Sequence, residues 1–554
     1  MYNPDGPETG RPPTRADRGM VATSHYLASA TGLDTLRRGG SAVDAAIAAN
    51  AVLCVAYPHM AGLGGDGFWL IHDPDKGGVQ ALNASGPAAR LATREFYREQ
   101  GHDEEIPARG PLAALTIPGA VDGWRVAHER HGRLDWDSLF QDAIRYARKG
   151  LARSRSVVDW TFEDVPVFRE HESAARIFLP DDDVRREGSR MVQEELAGTL
   201  ERLAREGARA GFYEGETAER FDRALEKAGS PLRGEDLSSF EAEWVEPLST
   251  TYRGYTAYEF PPNTQGFAAL QILNLMEGFD VAAWGDGTVD YYHHMAEAVK
   301  LAFADRDAWL TDPKFVDIPL ERLLSKDYAN ERRAHIEAQR SHEMASVEPG
   351  IAFPGDPARR TDIGGDTCYF CVVDEDGLAV SVIQSIYHDF GSAFVPSGTG
   401  VILQNRGSFF SLEESHPNRL EPGKRTFHTL IPAMLFRDDR PWLVYGTMGG
   451  EGQPQTHAAM VTRLVDFGYD VQQAIEAPRW LMGRTWGTES QDLSLEGRIP
   501  DNVIRELERR GQPVKVLSDW NDNMGHAQAI RIDRENGFLE GGADPRGDGL
   551  ALGY

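Results

Sequence analysis

Thr367 stands at the head of the run TCYFCVVD, directly after Gly364, Gly365 and Asp366. A threonine hydroxyl inside a chain is a poor nucleophile. It becomes a good one if the peptide bond before it is cut, because the new α-amine then serves as general base for its own hydroxyl. Such an amine has a pKa of about 7.7–8.0, so it is usefully neutral near pH 7. The chemistry needs a threonine that begins a strand, follows a connector and faces backbone donors for an oxyanion. The consecutive glycines Gly449 and Gly450 in YGTMGGEG supply candidate donors. A threonine after a glycine-rich turn with no catalytic role stays the plain alternative.

Two other motifs compete for attention. Cys368 and Cys371 form a CxxC, the spacing of a redox pair or half a zinc site. A zinc site needs two more ligands at suitable spacing, and a redox pair should open a helix. In a strand their odd separation sends the thiols to opposite faces. They read as buried small hydrophobes. Gly62, Gly64 and Gly67 in GLGGDG match the dinucleotide pattern, but here they follow a helical pattern and open a strand, the reverse of what that fold requires. GTMGGEGQ lacks the lysine of a phosphate loop.

The elements that position these residues are legible in outline. The 554 residues are 41% hydrophobic with a formal net charge of −28. That excludes duplex binding as the main function. Only eight of the 58 basic residues are lysine, which suits either a high-salt cytoplasm or an arginine-rich genome composition. Three cysteines make no disulfide framework. No targeting or membrane-spanning run is visible, so the expectation is a soluble cytoplasmic protein with no metal, cofactor, nucleic-acid or membrane partner. AVDAAIAANAVLCVAYP reads as a buried helix with Ser41 as its N-cap. Residues 1–19 read as a disordered lead and YRGYTAYEF as one strand. Residues 331–366 read as a loose connector between a helix-rich first part and a strand-rich second part that begins at Thr367. His293 and His294 read as structural.

Several blocks in order resemble the γ-glutamyltranspeptidase family of N-terminal-nucleophile hydrolases: GGSAVDAAIAANAVLCVAYPHMAGLGGDGF, AALTIPGAVDGW, DTCYFCVVDEDGLAVSVIQSI, FGSAFVPSGTGVILQN and GTMGGEGQPQTHAAM. The resemblance runs from about residue 20 to the end. It implies a four-layer αββα sandwich, one catalytic domain made from a precursor that cuts itself between Asp366 and Thr367. The products would be a large chain, 1–366, and a small chain, 367–554, that stay associated, with a higher homo-oligomer left open. Thr367 falls on the family's nucleophile, Ser385 on a hydroxyl that hydrogen-bonds it, and Gly449 and Gly450 on the oxyanion glycines. Cys368, Tyr369 and Cys371 depart from the family's nucleophile strand.

The substrate positions also depart. Ser85 stands where the family grips a γ-glutamyl carboxylate with arginine. Tyr387 and the Ser408–Phe409 pair stand where it grips the α-amine. Arg406, His428 and Thr429 replace other substrate contacts. Removing the charge partners of a zwitterion leaves buried charges uncompensated. Tyr387, Arg406, His428 and Thr429 then suit a small anionic amide, and GLGGDGFWLI, IQSIYHDFGS, FHTLIPA and GQPQT most resemble the oxamate amidohydrolase branch. A γ-glutamyl hydrolase, transpeptidase or related acylase with a rebuilt site is the alternative, and an unprocessed binding homologue a third.

Overall fold

The computed structural model describes residues 7–354, 366–484 and 490–554. Two seven-stranded antiparallel sheets form its centre. Their strands, in chain order, are β1 (Thr14–Ala16), β2 (Met20–Thr23), β3 (Asp66–His72), β4 (Gln80–Ala84), β5 (Glu243–Val245), β6 (Leu248–Tyr252), β7 (Tyr255–Glu259), β8 (Asp366–Val373), β9 (Ala379–Tyr387), β10 (Ala433–Arg437), β11 (Arg440–Thr447), β12 (Ala527–Asp533), β13 (Phe538–Ala543) and β14 (Leu550–Gly553). One sheet runs β14-β2-β8-β9-β3-β4-β5, the other β1-β13-β12-β11-β10-β7-β6. The helices used below are α1 (Tyr26–Arg37), α2 (Ala42–Ala56), α3 (Glu194–Ala208), α4 (Gly266–Met276), α5 (Val289–Trp309) and α6 (Gln453–Val465).

Strand alternation sorts the apolar residues into layers. Phe68, Leu70, Tyr369 and Cys371 meet Met434, Val444 and Ile530 in a core between the sheets. Their neighbours Trp69, Ile71, Cys368 and Phe370 face the other way, into a core with α2. Ala433, Leu435, Leu443 and Tyr445 of the second sheet pack on α4, α5 and α6. The result is helix, sheet, sheet, helix: the αββα sandwich the resemblance implied.

Every residue of α2 is buried, which its run of alanines permits. Ser41 caps it. Asp44 N–H donates to Ser41 Oγ (3.1 Å) and Ser41 N–H donates to Asp44 Oδ2 (2.9 Å). Such a cap contributes about 1 kcal/mol. Among the described residues no helix is long and apolar enough to cross a membrane.

Cys368 and Cys371 lie in different cores on opposite faces of β8, as alternation requires. Burial pushes the Cys368 thiol up to about 12 and Cys371 higher still, so neither is a thiolate near neutral pH. His293 and His294 sit on α5, where their rings meet the carbonyls of Glu337 and Asp290 (2.8 and 2.7 Å).

Three expectations are corrected. The lead is not all disordered: β1 pairs with β13, and Arg15 bonds Glu540. YRGYTAYEF is not one strand but closes the hairpin of β6 and β7. Its turn residues Arg253 and Gly254 both have positive φ (51° and 83°), the backbone that matches a two-residue hairpin. The connector is pinned where described. Trp309 Nε1 donates to Ile351 O (2.8 Å), and Gly350 N–H donates to Asp305 Oδ1 (2.7 Å). Residues 355–365 of it lie outside the described residues. The first part is helix-rich and the second strand-rich, but the two are not separate bodies, because the strands of both sheets come from both sides of Thr367. The strands before it are short and separated by long helices, which hides them.

The sheets meet tightly at one point. A Cβ on Gly446 of β11 would sit 2.4 Å from the Tyr369 ring of β8. Gly446→Ala should therefore destabilise the protein by about 1–3 kcal/mol through overpacking, read as a shifted denaturant midpoint. An unshifted midpoint would show that the sheets are slack there.

Candidate active site

That contact brings the start of β8 against the end of β11. Thr367 lies two residues before Tyr369, and the Gly449–Gly450 turn three residues after Gly446. β8 pairs with β9 through Asp366↔Tyr387 and Cys368↔Gln384, with a bulge between them. The extra residue is on β9, where Ser385 and Ile386 together stand across from Thr367. Bulges re-aim a side chain at a sheet's working end. Thr367 is fully buried, and its Oγ1 has no hydrogen-bond partner among the described residues.

Ser385, Tyr387, Arg406 and Thr429 touch one another. Ser385 Oγ accepts from Tyr387 N–H (2.8 Å) and from Arg406 Nη2 (3.3 Å). Arg406 Nη1 reaches Thr429 Oγ1 at 3.4 Å. The Arg406 guanidinium lies 4.2 Å from the centroid of the Tyr387 ring, and that ring packs at a tilt against Phe409 (4.5 Å between centroids). Tyr387 holds this position with φ = 81°, a backbone that side chains rarely adopt.

His428 precedes Thr429. Its Nε2 lies 3.2 Å from Asp66 Oδ2, off the hydrogen-bond axis. Burial first, then the positive Arg406, lowers the imidazole pKa to about 4. His428 is therefore neutral near pH 7, and the fixed positive charge of this cluster belongs to Arg406.

Residues that sequence reasoning did not single out organise the site. Asp66, across from Ser385 on β3, accepts at Oδ1 from the N–H groups of Gly86 (3.0 Å) and Gly119 (3.2 Å). Gln265 Nε2 donates to the carbonyls of Thr429 (2.8 Å) and Gly450 (3.0 Å). Arg306 joins Gln265 Oε1 to Glu451 Oε2, both at 2.9 Å, and Arg484 reaches Glu451 Oε1 at 2.9 Å. The signal was available in part, since Asp66 and Glu451 sit inside the glycine blocks and Gln265 beside Gly266.

Gly449 and Gly450 have φ of 124° and 53°, so this turn needs glycine. Gln265 couples Gly450 to Thr429, and Arg406 couples Thr429 to Ser385. One hydrogen-bonded chain thus leads from the glycine turn to the residue across from Thr367.

At the departed positions, Ser85 Oγ donates to Asn83 Oδ1 (2.7 Å) and Ser408 Oγ donates to Asn405 O (2.9 Å). Neither carries charge. Arg425, not foreseen, donates from Nε to Ser85 O (2.8 Å), and its Nη1 pairs with Glu243 (2.5 Å).

Comparison with known proteins agrees with this architecture. A family model described as Gamma-glutamyltranspeptidase matches residues 28–554. A Bacillus subtilis protein named glutathione hydrolase-like YwrD proenzyme is 45% identical over 534 residues, covering 96% of this chain and 98% of its own. The oxamate amidohydrolase proenzyme of Klebsiella pneumoniae is 43% identical over 541 residues, covering 97% and 98%. The crystal structure of a cephalosporin acylase from Bacillus halodurans superposes with a TM-score of 0.90 at 37% identity, over 100% of this chain and 99% of that one. The chain belongs to the γ-glutamyltranspeptidase family of N-terminal-nucleophile hydrolases and is an enzyme.

Proposed function

We propose that the chain cuts itself between Asp366 and Thr367 and then hydrolyses a small amide bearing a carboxylate beside the amide carbonyl, with oxamate as the candidate. Thr367 Oγ1 attacks the carbonyl carbon while the freed α-amine takes the hydroxyl proton. The N–H groups of Gly449 and Gly450 face the developing oxyanion. The ammonium returns its proton to the leaving nitrogen, ammonia departs, and water cleaves the acyl-threonine ester to oxalate.

The observation that carries this reading is Arg406. It is a buried guanidinium held by Ser385 and Thr429 beside the nucleophile strand, while Ser408 and Phe409 offer nothing to an α-ammonium. One fixed cation, with no carboxylate at the Ser408–Phe409 pair where the family holds the α-ammonium, fits a monoanion better than a zwitterion. The relative named for oxamate supports it. The second reading, a γ-glutamyl hydrolase or acylase, draws on Arg425 beside Ser85 and on the relative named glutathione hydrolase-like. Arg425 pairs with Glu243, which favours the first. Mass-spectrometric turnover of oxamate against glutathione decides. Release of glutamate from glutathione, with oxamate untouched, overturns the proposal.

Cutting before Thr367 does not free the pieces. In one sheet the small-chain strands β8 and β9 lie between large-chain strands β2 and β3. A denaturing gel should show two bands, the smaller beginning TCYFC by N-terminal sequencing. Thr367→Ala should give one full-length band and no turnover. Arg406→Ala should lower kcat/KM for oxamate by about 100-fold or more, the scale of losing one side of a buried charge pair, with Arg406→Lys intermediate.

The pH profile separates Arg406 from His428. With His428 neutral down to about pH 4, KM should stay level between about pH 5 and 8. Over the same range kcat should fall toward acid as the α-amine, pKa about 7.7–8.0, takes up its proton. A KM that tightens as pH drops would mean that His428 charges and grips the substrate.

A further inference from the structure

A second cleft, of about 370 Å³, opens beside the N-terminus of α3 and shares no lining residue with the candidate active site. That end of α3 has no side-chain cap, because its N-cap Gln193 turns away and donates to Val55 O (2.7 Å). The N–H groups of Glu194, Glu195 and Leu196 find no acceptor among the described residues. Opposite this turn stands Gly400 (φ 65°), where a Cβ would lie 2.3 Å from Leu196 N. Glycine lets the loop close over the helix end.

Arg153 lines the same cleft and is 5% exposed. Nη1 donates to Arg190 O (3.0 Å), and its other guanidinium nitrogens donate to no described residue. No carboxylate among the described residues lies within ion-pair distance of Arg153 or of Arg190, whose own Nη1 bonds Lys149 O (2.5 Å). The acids at the rim are already engaged, Glu194 by Arg148 (3.3 Å) and Glu195 by Arg176 (3.0 Å). Burial and the nearby Arg185 both work against the charge on Arg153. A buried cation with donors to spare, next to uncapped helix amides, is complementary to an oxyanion.

We propose that this cleft binds a small molecule through a carboxylate or phosphoryl group, seated on the first turn of α3 and held by Arg153 with Arg190 at the rim. The volume is that of a small-ligand pocket rather than of a lone ion.

Calorimetric titration of the full-length protein with inorganic phosphate and with acetate, at matched ionic strength, tests it. The expected result is one saturable site per chain for at least one probe. Tighter phosphate marks a phosphoryl ligand and tighter acetate a carboxylate. Arg153→Gln should weaken that site about tenfold, the loss of one charge-assisted hydrogen bond, and Arg190→Gln several-fold, both with amide hydrolysis retained. Arg406→Ala should leave the site intact, which separates it from anion binding at the catalytic centre. Absence of saturable binding up to about 10 mM, well above the millimolar range of weak single-site ligands, overturns the proposal. So does binding unchanged in Arg190→Gln, which decides the matter if Arg153→Gln fails to fold, and so does binding lost only in Arg406→Ala.

Discussion

Burying one arginine is the constraint on which the rest of the site depends. Arg406 is 1% exposed, and a guanidinium stripped of water costs several kcal/mol unless its surroundings replace that water. The replacement includes the faces of the Tyr387 and Phe409 rings and the hydroxyls of Ser385 and Thr429. Tyr387 leaves the extended backbone at the end of β9 so that its ring lies over the guanidinium. The strain is of order 1–3 kcal/mol, and a desolvated cation–π contact returns about 2 kcal/mol. The same turn of backbone aims Tyr387 N–H at Ser385 Oγ. That oxygen accepts twice, and Thr367 lies across from it in the ladder. Charge burial and hydroxyl orientation are thus one arrangement.

A second constraint is stiffness at a turn built of glycine. Donors that stabilise an oxyanion must be aimed beforehand, since donors that reorient during the reaction lose most of their benefit. Gly449 and Gly450 adopt positive φ that other residues resist, yet glycine is also the most flexible backbone. Gln265 resolves the conflict by holding Gly450 O and Thr429 O with one amide, and Arg306 and Glu451 hold Gln265. Because Thr429 is also where Arg406 is held, the glycine turn and the cation share a support.

What the sequence made legible was periodic or local. Alternation alone put Cys368 and Cys371 on opposite faces, and Ser41 marked where α2 begins. The hairpin of β6 and β7 was misread because its turn is only Arg253–Gly254, short enough to look like strand. Ser385, Tyr387, Arg406 and Thr429 came from resemblance, and the fold does bring them into contact. Gln265, Arg306 and Glu451 were not legible. They are ordinary polar residues whose meaning lies in partners distant along the chain. The choice between Arg406 and His428 as the cation was likewise open in sequence, and only the burial of the imidazole beside an existing positive charge decides it.

The position of Thr367 answers a difficulty in any nucleophile that is also a chain end. Free termini fray, and ordering the backbone of one residue costs about 1–2 kcal/mol. β8 is an interior strand. Cys368 pairs with Gln384 of β9, and Cys371 to Val373 pair on the other side with β2. If the bond before Thr367 is cut, the new terminus lies one residue before the point where the ladder with β9 resumes and four before the stretch paired on both sides. The Tyr369 ring, wedged against Gly446, then pins the strand end from the facing sheet. The proposed cleavage would create an amine without creating much freedom, so the entropy of placing the nucleophile is lost during folding of the precursor rather than in each turnover.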